Sequence, residues 1–296
     1  MSDAYVLSCC STVDLSPELL NNNRIQYIGL HYFLDGKEYE DDLGQTRPMT
    51  DFYKAMLAGA DTATAQVNVE EYRSYFEKFL ENGQDVLHVT LSSGISGSYN
   101  SARIAAELLN EKYPERKLLI VDSLGASSGS GMIVTELARM RDKGVSIEDA
   151  YAWAEEHKLE LHHWFFSSDL TFFVKGGRIT KAAGWFGTAL KICPVLNMDN
   201  LGRLVPRYKM RGKQNAIKEI VRQMKEHANN GTDYDGSCYI CHSDRLEDAR
   251  AVAALVQDNF PKLREEVQIF NIGPTIGSHT GPGTVALFFL GTKREN

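Results

Sequence analysis

Short apolar runs alternate with amphipathic segments through the first half of the chain. Four runs are predicted to be strands: residues 5–9, 25–33, 85–91 and 117–121. Four segments have the helical spacing of apolar residues: 69–80, 98–113, 131–143 and 147–158. Strands that alternate with helices of this length predict a parallel sheet with right-handed crossovers. We therefore expect a Rossmann-like α/β domain in this half.

The second half has a different pattern, in which strands and helices do not alternate evenly. Extended runs are predicted at residues 164–166, 194–197, 237–242, 267–271 and 284–290, with a hairpin-like turn at 199–202. Long helices are predicted at residues 213–226 and 247–260. This arrangement predicts an α+β domain on a mixed sheet. We place the boundary near Leu161, which gives domains of residues 1–161 and 162–296.

Composition limits the classes of function. The chain has 296 residues and 43% hydrophobic content, enough to build the cores of two such domains. It contains no apolar run near the 18 or so residues of a membrane span, and its first residues lack the basic start and apolar core of a signal peptide. We therefore expect a cytoplasmic protein without stable membrane insertion. The formal net charge of −7 argues against a nucleic acid partner, which requires a basic face.

The five cysteines do not suggest a disulfide framework or a metal site. Cys238 and Cys241 have the C-x-x-C spacing, but they fall on a predicted strand, where positions i and i+3 point to opposite faces. Core packing is therefore favoured over metal binding, and we expect neither a metal nor a cofactor.

The strongest local signal is the turn after the strand at residues 85–91. The chain passes through Ser92-Ser93-Gly94-Ile95-Ser96-Gly97 and enters a helix at Ser98. The free N–H groups of a first helical turn, at the positive end of the helix dipole, form a site for an anion. Ser93 and Ser96 add hydroxyl donors, and the glycines allow a ligand to approach the backbone. These small polar residues exceed what a helix cap requires, so we predict that the turn anchors an acidic ligand.

Two other segments of small residues give weaker signals. Residues 121–131 form a second strand-to-helix turn, for which close helix packing and a role in the site are equally open. Asp122 in this turn would repel an anion, so we do not expect it to be a direct ligand. Residues 62–68, with alternating Thr and Ala, are by pattern alone more typical of a loop that caps the next helix.

The same serine-rich turn also suggests an alternative function. Gly94-Ile95-Ser96-Gly97-Ser98 nearly matches the G-x-S-x-G nucleophile elbow, with Ser in place of the last Gly. Asp244 and His279 follow in the Ser, Asp, His order of α/β-hydrolases. A serine esterase that uses Ser96 is therefore the alternative, although order without geometry is weak evidence.

Two later segments carry candidate ligand-binding side chains. Arg178 follows Gly176-Gly177, where a guanidinium could bind a carboxylate or a phosphate, although a solvated Arg is the commoner case. His279 lies in residues 273–283, which we predict to be a rigid loop rich in Gly and Pro between two strands. A His in such a loop is more often functional than a His elsewhere.

Taken together, these segments resemble the DegV family over nearly the whole chain. The resemblance rests on motifs in the family's order: Ser11-Thr12-Val13-Asp14-Leu15, Thr64-Ala65-Gln66, Ser92-Ser93-Gly94-Ile95-Ser96-Gly97-Ser98-Tyr99, Asp122-Ser123, Gly176-Gly177-Arg178-Ile179, Lys191-Ile192-Cys193-Pro194-Val195-Leu196, Arg211-Gly212-Lys213 and His279-Thr280-Gly281-Pro282-Gly283. Three positions depart from the family's pattern. Cys10 replaces the usual Asp before Ser-Thr, Val67 replaces a usual Pro, and Arg211-Gly212-Lys213 replaces the usual Arg-Thr.

The resemblance implies a two-domain lipid carrier, not an enzyme, with a long-chain fatty acid buried between the domains. It implies that such a carrier presents the carboxylate to a fatty acid kinase, which forms an acyl phosphate. By motif position, Thr64, Ser96 and Gly97 are expected to contact the carboxylate, with Ser93 close by. Arg178 and His279 are expected near the mouth of the site, where they would serve phosphotransfer.

The physical chemistry of a fatty acid suits such a site. Each buried methylene contributes about 0.8 kcal/mol, so the acyl chain supplies most of the affinity. An ionised carboxylate in an apolar cleft costs several kcal/mol unless it is hydrogen-bonded, and the donors near Ser96 can offset that cost. Ile95 and residues 182–190 are candidates for the apolar wall.

Overall fold

The apolar runs of the first half form strands in the computed structural model, which describes residues 4–179 and 192–295. The candidate wall segment 182–190 lies outside the described residues. In chain order the elements of this half are β1 (Val6–Cys10), α1 (Pro17–Asn22), β2 (Ile25–Ile28), β3 (His31–Leu34), β4 (Lys37–Glu40), α2 (Met49–Leu57), β5 (Thr62–Ala65), α3 (Val69–Leu80), β6 (Val86–Thr90), α4 (Ser98–Lys112), β7 (Leu118–Asp122), α5 (Ser127–Asp142) and α6 (Ile147–His157).

A parallel four-stranded sheet organises the first half. Its order is β2-β1-β6-β7, with Leu7 paired to Leu87 and His88 paired to Ile120. Strands β1 and β6 are buried along their whole length, because α3 and α4 cover one face of the sheet and α5 covers the other. The predicted parallel α/β sheet is confirmed, and the C-terminal ends of its strands lead into the turns that begin α4 and α5.

The second half forms a mixed six-stranded sheet, as predicted. Its elements are β8 (Leu161–Ser167), α7 (Thr171–Lys175), β9 (Ile192–Met198), β10 (Leu204–Arg211), α8 (Lys213–His227), β11 (Tyr239–His242), α9 (Leu246–Asn259), β12 (Gln268–Asn271), α10 (Pro274–Thr280) and β13 (Thr284–Leu290). The strand order is β10-β9-β8-β13-β11-β12, with only β11 and β12 parallel. Strand β13 therefore lies inside the sheet although it follows every other strand of that sheet in the chain.

This sheet separates two apolar cores. Helices α8 and α9 cover one face, and the other face packs on α5, which is shared with the parallel sheet. Cys238 belongs to the core under α8 and α9, whereas Cys241 belongs to the core around α5. The two thiols therefore lie on opposite sides of the sheet, which is the geometry expected for positions i and i+3 of a strand.

A three-stranded antiparallel sheet, in the order β4-β3-β5, was not predicted. The prediction of one strand over residues 25–33 is wrong, because β2 and β3 belong to different sheets. The chain turns at Gly29, where the Glu40 side chain packs so closely that it would overlap a Cβ, and at Leu30, whose N–H donates to Ser11 Oγ at 3.1 Å. The prediction of a capping loop at residues 62–68 is also wrong in part, because Thr62–Ala65 is β5, and only Asn68 of this segment caps α3, in a capping box with Glu71.

The predicted Gly/Pro loop at residues 273–283 is mostly the helix α10, so that prediction is wrong. Pro274 takes the first helical position, where its fixed φ suits a helix and its missing N–H has no intrahelical partner to lose. The helix ends at Gly281, whose positive φ of 68° is one that glycine adopts readily. His279 therefore lies in the last turn of a helix.

Candidate functional site

One cavity of about 430 Å³ lies between the parallel sheet, the three-stranded sheet and the inner face of the mixed sheet. Its apolar lining is Leu30, Ala65, Leu91, Ile95, Ala126, Phe165, Phe173, Met198, Leu204, Ile272, Ile276, Ala286 and Phe288. Its remaining lining residues are Thr64, Gln66, Ser96, Gly97, Ser127, His163, Arg178, Cys241, Thr275, His279, Thr280 and Thr284. The cavity is thus mainly apolar, with hydroxyl groups and one guanidinium at defined places.

Five of the six site residues predicted from the sequence line this cavity. They are Thr64, Ser96, Gly97, Arg178 and His279. Ser93 is not among the lining residues; its side chain is exposed, and its backbone N–H donates to Asp122 Oδ1 at 3.1 Å. Asp122 is likewise absent from the lining and accepts a second backbone N–H, from Leu124. It therefore holds the turn together without facing a ligand.

Thr64 and His279 form a direct contact at one side of the cavity. Strand β5 places Thr64 opposite Tyr32 of β3, and α10 packs against this small sheet. The Thr64 hydroxyl oxygen lies 2.7 Å from His279 Nε2. We expected Thr64 to hold the carboxylate and His279 to lie near the mouth of the site. The two side chains are in direct hydrogen-bonding contact, so a ligand that reaches Thr64 also lies close to His279.

Burial keeps the His279 ring neutral. It lowers the pKa of His279 to about 4, and the nearby Arg178 cation acts in the same direction. His279 Nδ1 is buried and has no hydrogen-bond partner among the described residues. A neutral ring carries one N–H, and placing that hydrogen on Nε2 lets the ring donate to Thr64, whose own proton is then free for a ligand.

Ser96 lies in the turn between β6 and α4, two residues before the helix begins. Gly97 is the N-cap residue of this helix and has no side chain to cap it. The Ser98 N–H donates to Ser96 Oγ at 3.2 Å, and the two hydroxyl oxygens lie 3.0 Å apart. Ser96 and Gly97 both line the cavity, so the start of a 15-residue helix lies at the cavity beside a serine hydroxyl, which is an arrangement suited to an anion.

Arg178 supplies the charge of the site. It is half-buried beyond the end of α7, where its Nε donates to the Ile95 carbonyl at 3.2 Å and its Nη1 donates to the Gly176 carbonyl at 2.5 Å. Desolvation lowers the pKa of Arg178 from its ordinary value, yet a guanidinium remains charged at neutral pH. Among the described residues that line the cavity, it is the one that carries a full charge.

A second polar group, for which little signal is present in the sequence, lies around Ser127. Ser127 begins α5 in the left-handed conformation, with φ of 55°, and its hydroxyl donates to the buried Asp14. Its oxygen also lies 3.1 Å from Cys241 Sγ. The run of small residues at 121–131 was the available signal for this group. Helix α5 begins within that run at Ser127, four residues earlier than predicted, because Ser127 and Ser128 hydrogen-bond to Asp14.

Buried carboxylates hold this second group in place. Asp14 accepts the Gly273 N–H at 2.9 Å, and Asp41 accepts the Thr275 hydroxyl at 2.6 Å. Burial raises the pKa of both carboxyl groups. Asp14 and Asp41 thereby attach the start of α10 to the first half of the chain, and they do so from behind the cavity wall.

Two further observations limit the chemistry. Among the helices of residues 4–179 and 192–295, none is both long enough and apolar enough to cross a bilayer. In the same residues, His, Cys, Asp and Glu side chains form no group of three that could hold a metal ion. The polar side chains described at the site are hydroxyls, the His279 imidazole and a guanidinium.

Comparison with known proteins gives consistent results. The family model described as "Uncharacterised protein, DegV family" matches residues 10–292. A DegV domain-containing protein of Clostridium perfringens is 35% identical over 98% of this chain and 99% of its own. A DegV family protein of Thermus thermophilus, described as binding fatty acid, has a TM-score of 0.86 and 26% identity over 97% of this chain and 99% of its own. A stearic acid-binding protein of Eubacterium ventriosum has a TM-score of 0.85 and 25% identity over 97% of this chain and 98% of its own.

Proposed function

Because this chain belongs to the DegV family, we propose that its cavity binds one long-chain fatty acid and holds the carboxylate between β5 and the start of α4. The observation that carries the proposal is the composition of the cavity. Its lining is largely apolar, and hydroxyl donors with one cation occur where β5, α4 and the end of α7 meet. The fatty acids bound by the Thermus and Eubacterium proteins support the same ligand class.

The proposed orientation follows from the distribution of donors. The carboxylate lies between Thr64, Ser96 and the Gly97 backbone at the start of α4, with Arg178 beside them. Three kinds of donor, hydroxyl, backbone N–H and guanidinium, then offset the several kcal/mol that burial of an ionised carboxylate costs. The acyl chain extends along Phe165 and other apolar lining residues. We do not include Ser93, because its side chain is outside the lining.

A chain-length series tests the proposal. Protein purified from cells is extracted with organic solvent and assayed by mass spectrometry, and about one fatty acid per chain is expected. Delipidated protein is then titrated with saturated acids from decanoic to eicosanoic acid. Affinity should rise about four-fold per methylene until the cavity is filled, since each buried methylene contributes about 0.8 kcal/mol. Affinity that is independent of length, or folded protein without acyl species, contradicts the proposal.

We further propose that the protein works in the cytoplasm and presents the carboxylate to a fatty acid kinase. Arg178 follows α7, and its Nε donates to the Ile95 carbonyl in the turn before α4. Its charge at this position can stabilise a transferred phosphoryl group. With a cognate kinase and ATP, Arg178→Ala should keep bound lipid and lose acyl phosphate formation. Arg222→Ala is the matched control, because α8 lies on the face of the mixed sheet away from the cavity. Turnover by Arg178→Ala at the wild-type rate would refute this role.

The contacts do not favour the esterase alternative. His279 Nε2 faces Thr64, Ser96 Oγ contacts Ser98, and Asp244 is an exposed residue, so the described contacts include no Ser96–His279–Asp244 triad. Ser96 is therefore proposed as a donor and not as a nucleophile. Stoichiometric labelling by a fluorophosphonate that is lost in Ser96→Ala would reverse this assignment.

A further inference from the structure

Two of the residues that line the cavity reach the surface of the protein. Among the described lining residues only Gln66 and Gly97 are exposed, whereas the others are buried or partly buried. Gln66 follows directly after β5, two positions beyond Thr64, and Gly97 is the N-cap residue of α4. The cavity therefore meets the surface between the end of β5 and the start of α4, next to the proposed carboxylate site.

The Gln66 side chain spans this opening. Its Nε2 donates to the Ser101 hydroxyl at 3.0 Å, one turn into α4. Its Oε1 lies against Gly97, where it fills the space that a Cβ on residue 97 would take. The φ of Gly97 is −82°, which any residue adopts, so the close approach of the amide and not the backbone conformation requires glycine at this position. The structure thus has a defined place for the Gln66 amide at the start of α4.

The orientation of this amide suits a ligand that donates a hydrogen bond. Oε1 is an acceptor, and among the described residues no hydrogen bond is made to it. An ionised carboxylate is also only an acceptor, so the oxygens would repel each other. A half turn about the last side-chain torsion, which has a broad two-fold profile, exchanges Oε1 and Nε2. The Ser101 hydroxyl can donate as well as accept, so it can then donate to Oε1 and no hydrogen bond is lost.

We propose that Gln66 is a further head-group-binding residue, whose amide turns to match the ligand. With an acid bound, Nε2 donates to the carboxylate and the Ser101 hydroxyl donates to Oε1. With an alcohol bound, Oε1 accepts the ligand's hydroxyl proton and Nε2 keeps its bond to Ser101. The proposal rests on the proposed function, because it places the carboxylate beside Thr64 and Ser96. It adds to that site a residue that contacts the head group from the solvent side.

Two variants restrict what this side chain can do, and each is delipidated and titrated with stearic acid and with octadecan-1-ol. Gln66→Leu removes donor and acceptor. It should weaken stearate binding about ten-fold and octadecanol binding about three-fold, because a hydrogen bond to a carboxylate is the stronger one. Gln66→Glu keeps only acceptors and adds a negative charge, so it should bind stearate more weakly than Gln66→Leu does and bind octadecanol as the wild type does.

Gln45→Leu is the matched control for these variants. Gln45 is also exposed, and its Nε2 likewise donates to a hydroxyl, that of Tyr27, at 2.9 Å. It does not line the cavity, so both affinities should equal those of the wild type. Ser101→Ala removes the partner of the Gln66 amide. It should weaken stearate binding about two-fold in the wild type and not at all in Gln66→Leu, because its effect passes through the amide.

The side-chain amide signals of Gln66 report its orientation directly. In nitrogen–proton correlation spectra they are the pair of signals that Gln66→Leu lacks. Stearate should move these protons downfield, because Nε2 then donates to a charged group, and octadecanol should leave them near their ligand-free positions. Amide signals that respond alike to the acid and the alcohol would contradict the proposed turn.

The outcomes separate this inference from the proposed function. Gln66→Leu that changes the affinities for acid and alcohol by the same factor, or not at all, overturns the role of Gln66 and leaves the carrier intact. Stearate binding that neither Thr64→Val nor Ser96→Ala weakens overturns the proposed carboxylate site itself, and the role of Gln66 falls with it.

Discussion

Acid should destabilise the protein in part through His279, and His279→Gln should remove that part. Burial lowers the pKa of His279 to about 4, whereas the unfolded chain has the ordinary value of 6.5. Between these values the unfolded state binds a proton that the folded state does not bind. Stability is therefore complete above pH 6.5 and is lost as the pH falls toward 4.

The magnitude follows from the two pKa values. In the unfolded chain His279 is protonated below about pH 6.5, which lies about 1.5 pH units above pH 5. Over this range the free energy of unfolding falls by about 1.4 kcal/mol per pH unit. The expected loss is therefore about 2 kcal/mol for this residue. His88 and His162 have pKa values lowered by burial to about 3 and about 4 and act in the same direction, whereas the raised pKa of Asp14 acts in the opposite one.

Comparison of two proteins isolates the His279 contribution. Urea unfolding of delipidated wild type and of His279→Gln is measured at pH 7 and at pH 5. All other groups are common to both, so the acid-induced loss should be about 2 kcal/mol smaller in the variant. Bound stearate should also reduce the acid-induced loss of stability of the wild type, because a carboxylate near His279 raises the pKa of its ring. The same acid-induced loss in both proteins would show that His279 is not held neutral, and the argument for its tautomer would fall with it.

Three further substitutions have defined expected effects, each measured by urea unfolding and by stearate titration. Gly94→Ala places a Cβ against the Leu201 backbone carbonyl, which cannot move freely, and should cost about 1–3 kcal/mol of stability and weaken binding. Ser127→Ala leaves the buried Asp14 carboxyl without its hydroxyl donor and should cost about 1–3 kcal/mol. Phe288→Ala removes a ring shared by the cavity and the core and should cost about 3–5 kcal/mol, with a matching loss of acyl affinity. Variants with wild-type stability and affinity would contradict the corresponding contacts.

The sequence was sufficient where short-range patterns decide the structure. Strand β13 is apolar after Thr284, and β6 is apolar except for His88 and Thr90, so both could be recognised as strands from their local sequence. Prediction failed where distant contacts decide. Strand β5 has no apolar run and is a strand because Thr64 pairs with Tyr32, and α10 is helical although it contains residues typical of loops.

The same distinction applies to the site. Ser96 and Gly97 were predicted from local chemistry, because a serine-rich turn at a helix start is visible in any window of ten residues. Ser127 was not, since its contacts with Asp14 and Cys241 join residues more than a hundred positions apart. Pairings of this kind depend on how two sheets meet, which no local pattern encodes.

The position of β13 inside the mixed sheet has a consequence for the synthesis of the protein. Strands β8 and β11 flank β13, and both leave the ribosome before it does. At about 5–20 residues per second, the 48 residues from the end of β11 at His242 to the end of β13 at Leu290 keep these edges unpaired for several seconds. Ala286 and Phe288 of β13 also complete the cavity wall, so a nascent chain has no closed place for lipid. We expect translating ribosomes arrested before residue 284 to carry chains that recruit chaperones, whereas release beyond residue 290 should allow closure and lipid uptake.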